Sequence, residues 1–375
     1  MSPTYDVAVV GAGIAGLAHA FHLARQGRRV VVFERHPAAC GASIRNFGML
    51  WPIGQPAGRM HKMALRSRDL WLEVLASSGL WHARCGSLHL AYREDEAQVL
   101  AEFVERAPAA NYQCRLLSAR EVEQRSPVVN PQGLIAGLWS EEEVCVDPRQ
   151  VIAALPTWLH RELGVQFEFS CPVTSFEPGL AIAGGKQWNA QQLLVCSGDE
   201  LNLLYPGVFA DFGLSRCKLQ MMRSAADGTR LGPMLAAGLT LRHYKCFQDC
   251  PSLAAVKARI ARENPDLDRY GIHVMASQNG QGEIVIGDSH EYDEQVAPFD
   301  KPEIDRLILE YLHTFLNVPR LSIAARWHGM YVKHPTEPYI VARPAPATTI
   351  VAALGGAGMT LSFGLAEHVV REMER

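Results

Sequence analysis

Residues 5–34 read YDVAVVGAGIAGLAHAFHLARQGRRVVVFE, and they restrict the possible folds more than any other stretch of the chain. Asp6 to Val10 is a short apolar strand, and Gly11, Gly13 and Gly16 follow it in G-x-G-x-x-G spacing. Leu17, Ala20, Phe21 and Ala24 then recur at helical spacing, and Gly27 ends that helix. Val30–Phe33 is a second buried strand, closed by Glu34. Each piece has a physical role. Gly11 permits the tight turn, Gly13 lets a pyrophosphate approach bare backbone, and Gly16 lets helix and strand pack closely. The phosphate charge sits at the helix N-terminus, beside Ile14 and Ala15, where unpaired N–H groups and the helix dipole favour an anion. Glu34, about 20 residues beyond the glycines, can accept hydrogen bonds from ribose hydroxyls. An ordinary glycine-rich turn does not account for that acid, so the segment is expected to bind a dinucleotide.

With 375 residues the chain can bury a large core, and two domains are expected. Its net charge of −3 gives no general attraction to nucleic acid or anionic membrane. The first apolar stretch is broken by glycines and reads as strand and turn rather than a signal peptide. No run reaches the roughly 18 apolar residues of a membrane span. The nine cysteines form no C-x-x-C pair, and Cys246 and Cys250 lack a second Cys/His pair, so no metal site is expected. An odd cysteine count without a disulfide framework fits a reducing, cytoplasmic setting.

After the first unit comes a Gly/Pro-rich stretch (41–58), then a helical pattern over 61–79. Residues 86–92 alternate like a strand, while 94–107 and 120–124 read as helices. Pro148 opens a helix running through Leu163, well placed because a first turn needs no N–H there. Residues 165–169 and 193–196 are short buried strands. Strand-like runs at 216–222, 235–243, 272–277 and 283–288 suggest an antiparallel sheet covered on one face. A helix over 302–315 follows. The tail returns to βα character, with a strand at 349–354, a glycine turn at 355–358 and a helix over 361–373.

The fingerprint ending in Glu34, Val-Asp-Pro-Arg (146–149), Leu-Val-Cys-Ser-Gly (194–198) and Gly-Gly-Ala-Gly-Met-Thr (355–360) occur in one order. That order resembles the FAD-dependent amine and amino-acid oxidases, the family of D-amino-acid oxidase, glycine oxidase and monomeric sarcosine oxidase. Residues 41–60 with 327–340 look most like a branch associated with aminophosphonate breakdown. The resemblance implies an α/β fold with a Rossmann-like FAD-binding domain and a substrate domain on a mixed, largely antiparallel sheet. The expected division is 1–48, 145–215 and 320–375 for FAD, and 49–144 and 216–319 for substrate. Gly11, Ala12, Gly13, Ile14, Ala15, Gly16, Glu34 and Arg35 would hold the ADP half. Ser43, Arg45, Asn46 and Gly48 would lie along the pyrophosphate and flavin. Val173 would meet the adenine, Ser197 and Gly198 would contact the cofactor at the end of the 193–196 strand, and Gly355, Gly356, Ala357, Gly358, Met359 and Thr360 would bracket the isoalloxazine.

The implied activity is oxidation of 2-aminoethylphosphonate, or an N-methylated form, to phosphonoacetaldehyde, with oxygen or another electron acceptor. Relatives acting on carboxylated amines carry an Arg shortly after the Trp-x-Gly turn, where this chain has Tyr331. A tetrahedral phosphonate can be met by point charges and hydroxyls, so Tyr331 and Lys333 are candidate anion contacts, with His334 behind them. Arg45 and His243 are further candidates for the catalytic site. His290 is weighed with His243, Asp288 reads as a turn residue, and Met221-Met222 reads as core. Gly329 replaces the flavin-linking cysteine of sarcosine oxidases, so non-covalent FAD is expected. Val285 stands near the relatives' oxygen-activating lysine, which leaves a dehydrogenase open. Two alternatives remain: a glycine- or sarcosine-type oxidase, and a non-catalytic flavoprotein partner.

Overall fold

A computed structural model describes residues 3–293 and 296–373; the outermost residues of the expected division lie outside them. Five parallel strands form the centre of the first, eight-stranded sheet. Thr4–Val10 lies at its centre, because its Val7–Val9 run has covering layers on both faces. It pairs in parallel with Val30–Phe33 on one side and Lys186–Val195 on the other. Gln166–Glu168 and Thr348–Ala352 extend the parallel set at either end. An antiparallel hairpin, Val173–Glu177 with Leu180–Ala183, is added on the early part of Lys186–Val195. The glycine turn and Cys196–Gly198 lie at the carboxyl ends of adjacent parallel strands, where ligands bind in open α/β sheets.

One face of this sheet is covered by helices Ile14–Arg25, Arg59–Ser78, Pro148–Leu163 and Gly358–Met373. Phe21, Trp71, Trp158 and Phe363 share that core cluster. Asp147 caps the third of these helices, accepting from Arg149 and Gln150 N–H groups ahead of Pro148. The helix over 59–78 was assigned to the substrate unit. It packs instead on Gly358–Met373, since its Leu70, Trp71, Val74 and Leu75 stripe needs an apolar partner.

The second sheet is mixed and nine-stranded. Its longest pairing joins Ser215–Ser224 to Ile323–Lys333, antiparallel from Ser215↔Lys333 to Ser224↔Ile323. That pairing moves the strand from the expected FAD unit, whose boundary at 320 precedes it, into the second sheet. Ile284–Gly287 and Met275–Gln278 follow, then Met234–Ala236 and Ser87–Ala91, which run parallel to each other. Helix Pro302–Phe315 buries Ile304, Ile308, Leu312 and Phe315, a helical stripe. The strand expected over 235–243 ends at Ala236, and Gly238–Arg242 turns as a 3-10 helix. A bridge between Lys333 and Leu354 ties the end of the longest pairing to the C-terminal glycine turn.

Candidate active site

The site consists of two cavities with a shared wall. The narrower, about 320 Å³, runs along the carboxyl ends of the first sheet's parallel strands. The larger, about 580 Å³, lies between the C-terminal glycine turn and the second sheet. Ser43, Arg45, Tyr331, Leu354 and Gly355 border both.

In the narrower cavity, the residues present suit an adenine dinucleotide. Gly11, Gly13, Ile14 and Ala15 bring backbone to the wall, and a Cβ on Gly13 would stand 3.0 Å from Ser43 Oγ. Ser43 Oγ already accepts from Ile14 N at 2.9 Å, so a hydroxyl from a distant loop covers one helix N–H. The donors left for a phosphate are the remaining first-turn N–H groups and the Ser43 O–H. Glu34 is buried on the wall, with Oε2 accepting from Ala12 N and Oε1 from His36 N, both at 3.0 Å. Those bonds fix its carboxylate and leave lone pairs for ribose hydroxyls. Arg35 pairs with Glu200 across the same end, beside Val173, Ser197 and Gly198.

Three expected contacts have other roles. Ala12 and Gly16 are on neither wall; Ala12 supplies the N–H that holds Glu34, and Gly16 serves helix packing. Gly48 is also absent from both walls. Its φ is +72°, and a Cβ there would lie 2.0 Å from the Val146 carbonyl oxygen, so packing demands the glycine. Asn46 borders the larger cavity, but its amide ties the loop together: Nδ2 donates to Ala42 and Ser43 carbonyls, and Oδ1 accepts from Gly48 N.

The larger cavity is bordered on one side by Gly355, Gly356, Ala357, Gly358, Met359 and Thr360, and on the other by strand side chains. Gly329, Tyr331 and Lys333 share one face of their strand through its two-residue period. Tyr331 is buried, which pushes its phenol well above the usual range. Lys333 Nζ sits 5.1 Å from the centre of the Tyr292 ring. Arg45 donates to the His328 carbonyl at 3.2 Å. His334 lines the cavity while its Nδ1 accepts from the Thr336 and Glu337 N–H groups, capping a turn. Met221 is buried in a small core cluster with Leu219 and Tyr331 and also borders this cavity, and Met222 belongs to the larger core.

His243 meets two other imidazoles at the far wall. Its ring centre lies 3.8 Å from that of His273 and 4.4 Å from that of His290. Asp288, read from sequence as a turn residue, is buried there with Oδ1 3.2 Å from His273 Nε2. Burial holds His290 down to about 4 and lowers His273 well below the usual histidine range. His243 is lowered likewise: its exposed surface opens into the cavity, and dense protein surrounds the rest. The same desolvation pushes the Asp288 carboxyl well up. Sequence reasoning missed His273, Tyr292 and the gathering of these rings. Positions 243, 273 and 290 have no short-range spacing, and only the fold unites them.

No helix among the described residues is long and apolar enough to cross a membrane. In solved structures the same fold recurs. L-proline dehydrogenase from P. horikoshii matches all of this chain and 94% of its own, at 18% identity and a TM-score of 0.81. Glycine oxidase from Geobacillus kaustophilus matches 98% and 94%, at 18% identity and a TM-score of 0.78. Monomeric sarcosine oxidase of Streptomyces avermitilis is 29% identical over 209 residues, 53% of each chain. The chain spans about half, or less, of the length of the curated relatives it matches. Residues 6–372 match the family described as DAO, FAD dependent oxidoreductase, and the chain belongs to that family.

Proposed function

We propose that the protein oxidises a small anionic amine with FAD, and that the amine is 2-aminoethylphosphonate or an N-methylated form, converted to phosphonoacetaldehyde. The observation that carries this reading is the cationic end of the larger cavity. Lys333 lies there with no ion pair among the described residues. Arg242, which borders the same cavity, is committed to Asp268 and to the Leu267 and Ile272 carbonyls. An ammonium and hydroxyls arriving from several directions suit a tetrahedral phosphonate, whereas a planar carboxylate favours a free guanidinium fork.

When bound, FAD accepts the hydride that leaves the carbon next to nitrogen. The chain's own residues bind, orient and shield the amine. Lys333 and the Tyr331 hydroxyl hold the anion, and Phe47, Trp51, Leu219 and Met221 keep the reacting carbon dry. The C=N product then takes up water, giving the aldehyde and ammonia or a primary amine. FAD is held without a covalent link: a Cβ at Gly329 would stand 2.9 Å from Leu219 Cδ1 and 3.1 Å from the Arg45 carbonyl oxygen, leaving little room for a cysteine. Val285 is apolar, the buried Lys218 is committed to Asp300, and Lys333 is assigned here to the substrate anion, which together favour an acceptor other than oxygen. A second reading, a glycine- or sarcosine-type substrate, is favoured by the similarity to monomeric sarcosine oxidase.

Lys333→Met is expected to raise the apparent constant for 2-aminoethylphosphonate at least tenfold, about 1.4 kcal/mol, with flavin content unchanged. Wild-type protein should also reduce its flavin faster with 2-aminoethylphosphonate than with β-alanine, its carboxylate counterpart. A Lys333→Met enzyme that matches wild type, or a preference for β-alanine, would place the anion elsewhere. Glu34→Gln keeps an acceptor for one of the two backbone N–H groups but removes the charge, and charge-assisted bonds contribute about 1.5–3 kcal/mol. FAD titration of the apoprotein should therefore show binding weaker by tenfold or more; equal affinity would leave Glu34 a purely structural acid.

A further inference from the structure

We propose that His243, His273 and His290 hold a divalent transition-metal ion of the zinc type at the far wall of the larger cavity, with Asp288 as a fourth donor. The three imidazoles come from separate segments, yet one candidate ligand atom from each lies within 4.8 Å of the others. His290 Nδ1 faces the Gly271 carbonyl at 3.1 Å. A donated N–H there fixes the tautomer and leaves the Nε2 lone pair for a ligand, the usual orientation of a metal-binding histidine.

The second observation is a set of orphaned polar atoms. His273 Nδ1 is buried without a hydrogen-bond partner, and His273 Nε2 and Asp288 Oδ1, 3.2 Å apart, are buried without a well-aligned one. Leaving such groups unsatisfied is costly, and native structures rarely tolerate several together. One cation would take a lone pair from one His273 nitrogen and from Asp288 Oδ1, alongside those of His243 and His290. A donor set of three nitrogens and one oxygen favours zinc, cobalt or nickel over calcium or magnesium.

Geometry sets what must move. The rings of His273 and His290 lie 19° from parallel, and His243 is inclined by 39° and 44° to them. Zinc–nitrogen bonds of about 2.0–2.1 Å place tetrahedral donors about 3.4 Å apart, so donors spread over up to 4.8 Å must close by up to about 1.4 Å through side-chain rotation. His243 has that freedom because it borders the cavity. Two cations stand nearby: Arg242 is neutralised by Asp268, and Lys333 lies against Tyr292. The site does not depend on the identity of the amine substrate.

Zinc titration by calorimetry tests this on tag-free, flavin-loaded protein stripped with a chelator. We expect one saturable equivalent per chain, and a visible ligand-field band when cobalt replaces zinc. His243→Gln and His273→Gln should each weaken zinc binding by about tenfold or more. Circular dichroism and flavin content report whether each variant folds, and His243→Gln alters only a cavity-wall side chain. His368 pairs with Glu372 on an exposed helix face and is the place for adventitious zinc. His368→Gln should leave the affinity unchanged. Absence of saturable binding, an affinity unmoved in a folded His243→Gln protein, or a loss that follows His368→Gln instead would overturn the proposal.

Discussion

Acidification from pH 7 to pH 4 is expected to unfold the protein, because its core contains histidines that are neutral only while folded. Burial holds His19 down to about 4 and His89 to about 3, with His290 also at about 4. His89 sits among Trp51, Tyr244 and Phe247, and neither of its ring nitrogens has a partner. These folded values lie below the unfolded value of about 6.5. The associated stability is therefore present above pH 6.5 and is lost as pH falls through the folded values. Each such group contributes about 3–5 kcal/mol by this linkage. Several buried acids act in the opposite direction, among them Asp288 and Glu96, both raised by burial. Glu143 is pushed up to about 7 by burial, so its contribution is present below about 4.5 and lost as pH rises through 7. Glu143 offsets about one histidine and the other acids subtract further, while His22 and His61, also held down to about 4, add to the acid-labile side, so the net change is comparable with the lower end of a typical stability of 5–15 kcal/mol. Thermal melts of the flavin-loaded protein between pH 7.5 and 4.5 check this. A melting temperature that stays level across that range would show that the histidines are hydrated or paired.

Gly16→Ala is expected to release FAD and destabilise the protein by about 3 kcal/mol. A Cβ at this position would lie 1.9 Å from the Gly11 carbonyl oxygen, and that oxygen belongs to the turn on which the dinucleotide rests. Backbone must move to admit a methyl group, and the displaced turn is the binding surface itself. Gly207→Ala is the matched control, since a Cβ there meets nothing within 4 Å. Flavin content after purification, together with melting temperature, distinguishes the two. A yellow Gly16→Ala protein of unchanged stability would mean that helix and strand separate more easily than their packing implies.

Local patterns carried most of the legible information. The helices Pro148–Leu163 and Pro302–Phe315 and the strand Val30–Phe33 fall where the sequence places them, because a proline or a turn marks their ends. Ile323–Lys333 escaped notice: its sequence IAARWHGMYVK has no clean alternation, and its extended form rests on pairing with Ser215–Ser224. Residues 237–243 looked like more of a strand because both faces of that segment are covered, which hides the period. The dinucleotide end of the site was readable because its glycines and acid act within one βαβ unit. Gly48 differs: its glycine answers to the Val146 carbonyl across a different sheet. The histidine cluster joins positions far apart in sequence, so no motif could announce it.

The central claim is that FAD in this protein takes electrons from a small anionic amine. Anaerobic mixing of the flavin-loaded protein with 2-aminoethylphosphonate, its N-methyl form, glycine, sarcosine and β-alanine tests it most directly. The account predicts that the oxidised flavin absorbance bleaches within the mixing experiment, fastest with the two phosphonates. A flavin that stays oxidised with all five amines, yet is reduced at once by dithionite, would contradict it.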